Sequence, residues 1–152
     1  MDSSVTSLNF DPENSNLLLA GFGDGTVRMF DARVTSQRVL TFHEHRSWIT
    51  RVRMRAGGGK VYTGDGSGCV KIWSVHKPES FANLHTVPTV SALDFHAHAD
   101  VIVAGSPQQM VSIFSEDGTS LGTVKYHDGF MGQRIGPISC VAFHPYKVCT
   151  CT

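Results

Sequence analysis

The residues of this 152-residue chain that could carry chemistry are closely spaced histidines, four cysteines and several glycine-rich turns. His43-Glu44-His45 and His96-Ala97-His98 each place two imidazoles two residues apart, which on a strand puts both on one face. A structural zinc ion needs four converging ligands, usually as two tight pairs. No second pair stands at a matching spacing, and both doublets fall where a strand runs into a turn. The spacing therefore favours histidines that hydrogen-bond within turns over metal ligands. Gly21-Phe22-Gly23-Asp24-Gly25 superficially matches a nucleotide-binding loop, but it runs into a strand, where a dinucleotide site needs a helix N-terminus facing the pyrophosphate. It also lacks the third glycine and the lysine-bearing strand of a kinase loop. Gly57-Gly58-Gly59-Lys60 is followed by Val61, where a P-loop requires a hydroxyl for Mg²⁺. No nucleophile, base and orienting acid can be nominated together. The residues thus nominate no catalytic group, no cofactor and no metal ligand.

What the glycines do instead is punctuate a repeat. Leu17–Asp31 reads as a strand, a tight turn with Asp24-Gly25 at its tip, and a second strand. The unit returns at Val61–Ser74 and Ile102–Ser115, with Gly21, Gly64 and Gly105 in register, then Val27, Val70 and Val111, then Phe30, Trp73 and Phe114. A further strand precedes each hairpin, at Val5–Phe10, Ile49–Met54 and Val90–Phe95, and the same pattern recurs at Ile138–Phe143. Val5, Ile49, Val90 and Ile138 correspond, so the period is roughly 44, 41 and 48 residues. Outer strands are expected at Gln37–Phe42, Ser80–His85 and Ser120–Tyr126. No segment carries a sustained apolar stripe of helical period. Four strands per period, with an aromatic closing the third, is the pattern of a propeller blade.

Composition sets further bounds. Thirteen basic and thirteen acidic residues cancel, so no basic stripe supports nucleic-acid binding. No apolar run approaches the length of a membrane-spanning helix, so no intrinsic membrane segment is expected. MDSSVTSLNF has neither the basic region nor the apolar core of a signal peptide. Cys69, Cys140, Cys149 and Cys151 do not form a spaced framework, which favours a reducing, cytosolic setting.

These units resemble WD-repeat blades. Asp24 stands in the tight turn and Phe30-Asp31 in the place of the family's Trp-Asp pair; Trp73-Ser74 and Phe114-Ser115 hold that place later. Ser67 and Gln108 stand at the positions matching Asp24. The family's internal network of Asp, His, Ser and Trp therefore lacks its acid there in the second and third blades. The fold expected is all-β: a partial WD-repeat β-propeller of three four-stranded blades plus one strand of a fourth. The blades fall at about 5–42, 49–85 and 90–126, with the lone strand at 138–143. Residues 1–145 would form the partial propeller and 146–152 a divergent tail.

Ala20–Gly25, Pro78-Glu79-Ser80, Ala92–Gly105 and above all Lys125–Pro145, KYHDGFMGQRIGPISCVAFHP, are similar to the C-terminal propeller of the raptor family. That resemblance implies a non-catalytic protein-interaction scaffold, a fragment of the subunit that presents substrates to the target-of-rapamycin kinase. It implies protein partners from that kinase complex and a cytoplasmic location with recruitment to the lysosomal membrane. The alternative is an enzyme or small-ligand-binding propeller with a polar central channel. The insert Tyr126–Pro137 accounts for the long third period. Its His127, Asp128, Phe130, Met131 and Arg134 are the protein-interaction candidates, since aromatics, Met and Arg are enriched in interface cores. The competing reading is that Phe130 folds back to cover a blade edge. A short run of blades leaves apolar faces uncovered, so the isolated chain is expected to associate with itself.

Overall fold

The pattern of alternating side chains and glycine turns folds into three antiparallel four-stranded sheets, each strand paired with its sequence neighbour. The computed structural model describes residues 3–34, 38–57, 59–85, 89–125, 136–144, 146 and 150–151. The first sheet holds β1 (Val5–Phe10), β2 (Leu17–Phe22), β3 (Val27–Asp31) and β4 (Arg38–Phe42). The second holds β5 (Ile49–Met54), β6 (Lys60–Asp65), β7 (Cys69–Ser74) and β8 (Ser80–His85). The third holds β9 (Ala92–Phe95), β10 (Val101–Ser106), β11 (Met110–Ser115) and β12 (Ser120–Lys125). The expected first strand of a fourth unit is shorter than the sequence suggests. Only Ala142–Phe143 (β13) is strand, and it pairs with Thr150–Cys151 (β14), inside the segment expected to be a tail.

The turn between the two central strands of each sheet is built alike. Gly25 and Gly68 adopt φ of 83° and 86°, and Gln109 takes the corresponding place in the third sheet at φ 61°. Each donates its N–H to a carbonyl three residues back, on Phe22, Asp65 and Ser106. A side-chain hydroxyl at the second position of each unit's first run donates to the penultimate residue, a glycine, of the neighbouring strand. Thr6 bonds the Gly21 carbonyl at 3.0 Å, Thr50 that of Gly64 at 3.0 Å, and Ser91 that of Gly105 at 3.1 Å.

Packing between sheets explains the repeated glycines. A Cβ on Gly21 would lie 2.4 Å from Ile49 Cγ2, one on Gly64 2.6 Å from Val90 Cγ1, and one on Gly105 2.7 Å from Ile138 Cγ2. The first apolar residue of each unit thus seats on bare backbone of the unit before it. Around these seats the first and second sheets bury Leu19, Val27, Met29, Phe42, Val52, Met54 and Trp73 together. The second and third bury Tyr62, Val70, Ile72, Leu84, Leu93, Ile102 and Phe114. Residues 138–143 cover the far side of the third sheet in the same way, through Ile138, Val141 and Phe143. Inner strands are also clasped: the N–H groups of Val52 and Met54 donate to Ser7 Oγ and Asn9 Oδ1, and that of Phe143 donates to Asp94 Oδ2.

Candidate functional site

The insert residues His127, Asp128, Phe130, Met131 and Arg134 lie outside the described residues. The other positions singled out from sequence are placed clearly. Asp24 is exposed; its carboxylate accepts from the N–H and hydroxyl of Thr26 and pairs with Arg28 at 3.2 Å. Asp31 pairs with Arg33, whose hydrogen bonds draw the Asp31 carboxyl down to about 2. Phe30 is half-buried, and Trp73 and Phe114 are core residues.

The buried polar network is in the second sheet, where the position matching Asp24 carries no acid. Its acid is Asp65, two residues before Ser67. Asp65 Oδ2 lies 2.9 Å from His45 Nδ1, His45 Nε2 lies 2.6 Å from Thr63 Oγ1, and Trp73 Nε1 donates to Thr63 Oγ1 at 2.8 Å. The ends of the chain fix its direction, because the indole can only donate and the carboxylate can only accept. Thr63 therefore donates to Nε2 and Nδ1–H donates to Asp65. Thr63, Asp65 and Trp73 are at most 1% exposed. Burial alone would raise the Asp65 carboxyl. Hydrogen bonds from His45, Ser67 and the Cys69 N–H outweigh it and hold the group at about 2. The corresponding positions of the first sheet carry Ala20, Phe22 and Phe30, and those of the third carry Ala104, Ser106 and Phe114, so neither can build the network.

His45, Asp65 and Cys69 offer ligand atoms within 4.8 Å of one another. Both imidazole nitrogens are committed to Asp65 and Thr63, and burial pushes the Cys69 thiol up, away from the thiolate a metal needs. The geometry is that of a structural strut. His96 likewise serves its turn, accepting the N–H groups of His98 and Ala99 at Nδ1.

A second polar cluster had no signature in the sequence. Glu116, 5% exposed, accepts from Arg55 at 2.5 Å and from Lys60 and Tyr62. Burial opposes its charge, but Lys60, Tyr62 and Arg55 together hold its carboxyl below the usual range. Arg55, Lys60 and Tyr62 belong to the second sheet's strand ends and Glu116 follows β11, so the cluster ties the second sheet to the third.

On the loop side of the second sheet, Glu44, Arg46, Asp65, Ser67, Cys69, Lys71 and His85 line a cleft of about 500 Å³. Glu44 accepts from the Ser80 N–H at 3.0 Å, from its hydroxyl and from Lys71 at 3.3 Å. Beside the cleft the Trp48 ring lies against the Gly66 backbone, yet the residue remains 54% exposed. The arrangement offers recognition chemistry at a surface built from strand ends of the second sheet and the turns beside them.

The family described as WD domain, G-beta repeat matches residues 2–31 and 36–74. The chain is similar to the protein raptor homolog of Dictyostelium discoideum, with 40% identity over 149 residues, 95% of this chain and 10% of that protein. It is similar to regulatory-associated protein of TOR 1 of Arabidopsis thaliana, with 30% identity covering 97% of this chain and 11% of that protein. In structure it resembles Chaetomium thermophilum Raptor, with a TM-score of 0.81 at 29% identity, over 95% of this chain and 14% of that one. The chain thus spans about a tenth of the length of these curated relatives.

Proposed function

The chain is a raptor-like WD-repeat region, and from that premise we propose that it is a non-catalytic protein-interaction scaffold of the target-of-rapamycin kinase complex. The observation that carries this reading is 40% identity to a raptor homolog sustained over 95% of the chain, across all three sheets. The polar constellations agree with it. The His45 and Glu116 clusters are internally satisfied struts that tie strands and sheets together.

On this reading the region helps to present substrates to the kinase, acts in the cytoplasm and travels with its complex to the lysosomal membrane. Its contacts run through loops. The insert at 126–137, with His127, Asp128, Phe130, Met131 and Arg134, is the proposed partner contact, and the partial propeller occupies residues 1–145. We further propose that the isolated chain associates with itself through the face of the first sheet that exposes Val5, Leu8 and Phe10.

The test is co-purification. The raptor-type protein containing this region, tagged and expressed in cells, should recover the kinase and its other subunits. Phe130→Ala with Arg134→Ala should reduce that recovery without lowering the melting temperature of the propeller region. Recovery equal to wild type would remove the insert from the interface. Failure of the wild-type protein to recover the kinase would overturn the scaffold reading.

A further inference from the structure

The cleft on the loop side of the second sheet has a feature that its mixed charge conceals. Its acids are spoken for from within. Asp65 Oδ1 accepts from the Ser67 N–H, the Ser67 hydroxyl and the Cys69 N–H, and Oδ2 takes His45. Glu44 is held by Ser80 and Lys71. The donors in the wall are not used up. The side chains of Arg46 and His85 make no hydrogen bond or ion pair among the described residues, and both residues are exposed. Lys71 gives two of its three N–H groups, to Glu44 and to Asn83 at 2.5 Å. The groups of the cleft left unused are therefore donors, and an anionic acceptor fits them. Beside it, Trp48 presents an exposed indole whose position is fixed: its ring rests on Gly66, and its carbonyl accepts the Gly66 N–H at 3.0 Å. Rigid exposed tryptophans beside an arginine are the residue types that dominate binding energy at interfaces.

We propose that this cleft is a docking site for a phosphorylated linear segment of a partner protein, with the phosphate on Arg46, His85 and the free N–H of Lys71, and an apolar neighbour on Trp48. A phosphate offers three acceptor oxygens and nearly two negative charges, which suits a guanidinium, an imidazole and an ammonium around one cavity better than a single carboxylate does. A volume of about 500 Å³ accommodates the phosphorylated side chain with adjoining backbone. The proposal deepens the scaffold reading and rests on it, by giving one of the region's contacts a chemical class.

The experiment titrates the chain with four probes: a short phosphoserine peptide with a phenylalanine two residues away, the same peptide unphosphorylated, the same peptide with glutamate for phosphoserine, and inorganic phosphate. Calorimetry reads affinity, and tryptophan emission reads the site, because Trp48 is exposed while Trp73 is buried. The phosphopeptide should bind at least about tenfold more tightly than either peptide analogue and blue-shift the emission, with inorganic phosphate competing. Arg46→Ala and His85→Ala should each weaken it severalfold, and Trp48→Ala should abolish the emission shift. Neither Arg46→Ala nor His85→Ala should change the melting temperature by more than about a degree, since surface side chains without partners hold nothing together. Equal affinity for the phosphorylated and unphosphorylated peptides, tight binding of the glutamate peptide, or full affinity in the Arg46→Ala, His85→Ala double variant would each overturn the site. Co-purification with the kinase is read separately, so it can succeed while this proposal fails.

Discussion

At the scale of single residues, the Trp73–Thr63–His45–Asp65 chain is the feature most exposed to mutation. Each member is buried and has its polar atoms in use, so removing the middle leaves two ends unpaired. Thr63→Val keeps the shape and strands both His45 Nε2 and the Trp73 indole N–H. An unsatisfied buried group costs about 1–3 kcal/mol, and the loss should appear as a lower denaturant midpoint at unchanged slope. Asp65→Ala should cost more than Asp24→Ala, because Asp24 is exposed and its partners can turn to water. Equal losses would mean that the buried chain contributes nothing beyond an exposed turn. The pH dependence follows from the same carboxylate. Asp65 is held at about 2, below its ordinary value near 3.8, so its contribution is complete above pH 4 and disappears as pH falls towards 2. At about 1.4 kcal/mol per unit this amounts to roughly 2 kcal/mol of acid sensitivity, absent in Asp65→Ala. The sequence showed Trp73 and His45 but not their acid. Aligning on the turn tip matches Asp24 with Ser67, whereas the network takes its acid from the end of β6, where the first sheet carries Phe22 and the third Ser106. The overlooked signal was Thr63 and Asp65 alternating on one strand, two positions apart and therefore on one face.

At the scale of elements, the unit of construction is a glycine seat and an apolar knob. Gly64→Ala would bring a methyl group 2.6 Å from Val90 Cγ1, a contact that forces the second and third sheets apart or Val90 off its rotamer. A loss of about 1–3 kcal/mol is expected, and Val90→Ala in the same chain should recover part of it by vacating the space. A double-mutant cycle measures the coupling. Strict additivity would show that the seat is not filled as described. This joint was half legible. The aligned glycines and the aligned Val5, Ile49, Val90 and Ile138 were plain in the sequence, but that one set sits on the other is a long-range relation that no local window contains. The hydroxyls of Thr6, Thr50 and Ser91 repeat at the same period and were equally readable. They tie first strands to second strands where the ladder shifts register at Val5/Ser7 and Ile49/Arg51. Strand ends were least legible where tertiary packing decides. Ile138 fills the Gly105 seat without being strand, and Val90 fills the Gly64 seat two residues before β9 begins.

At the scale of the whole molecule, the joints between sheets decide stability. Glu116 closes the joint between the second and third sheets through Arg55, Lys60 and Tyr62, partners more than fifty residues away in sequence, which is why only the fold reveals it. Glu116→Ala removes the acceptor shared by Arg55, Lys60 and Tyr62. The two cations are 21% and 38% exposed and can turn to water, so the loss comes chiefly from the buried Tyr62 hydroxyl left unpaired. It should be about 1–3 kcal/mol, against a typical domain stability of about 5–15 kcal/mol. The first sheet has the opposite problem. Val5, Leu8 and Phe10 are 52%, 55% and 53% exposed, whereas their counterparts Ile49, Val52 and Met54 are 0%, 0% and 1% exposed at the next joint. Phe10, Leu18 and Phe30 stand opposite one another across β1, β2 and β3, so the exposed residues extend onto an apolar row of the sheet beside Arg28, which stands in the row of Leu8 and Ala20. Each large exposed side chain on this face forgoes roughly 1.5–3 kcal/mol of burial. Covering that face with a second copy of the chain recovers it, so the isolated chain should self-associate. Sedimentation should show mass rising with concentration, and thermal unfolding a midpoint that rises with it. Leu8→Lys with Phe10→Glu should reduce the association, because charges placed on the face must be desolvated for it to close. A concentration-independent monomer with a cooperative transition, unchanged by that pair of substitutions, would mean that the three sheets hold together with the face in water and that the second copy has no place there.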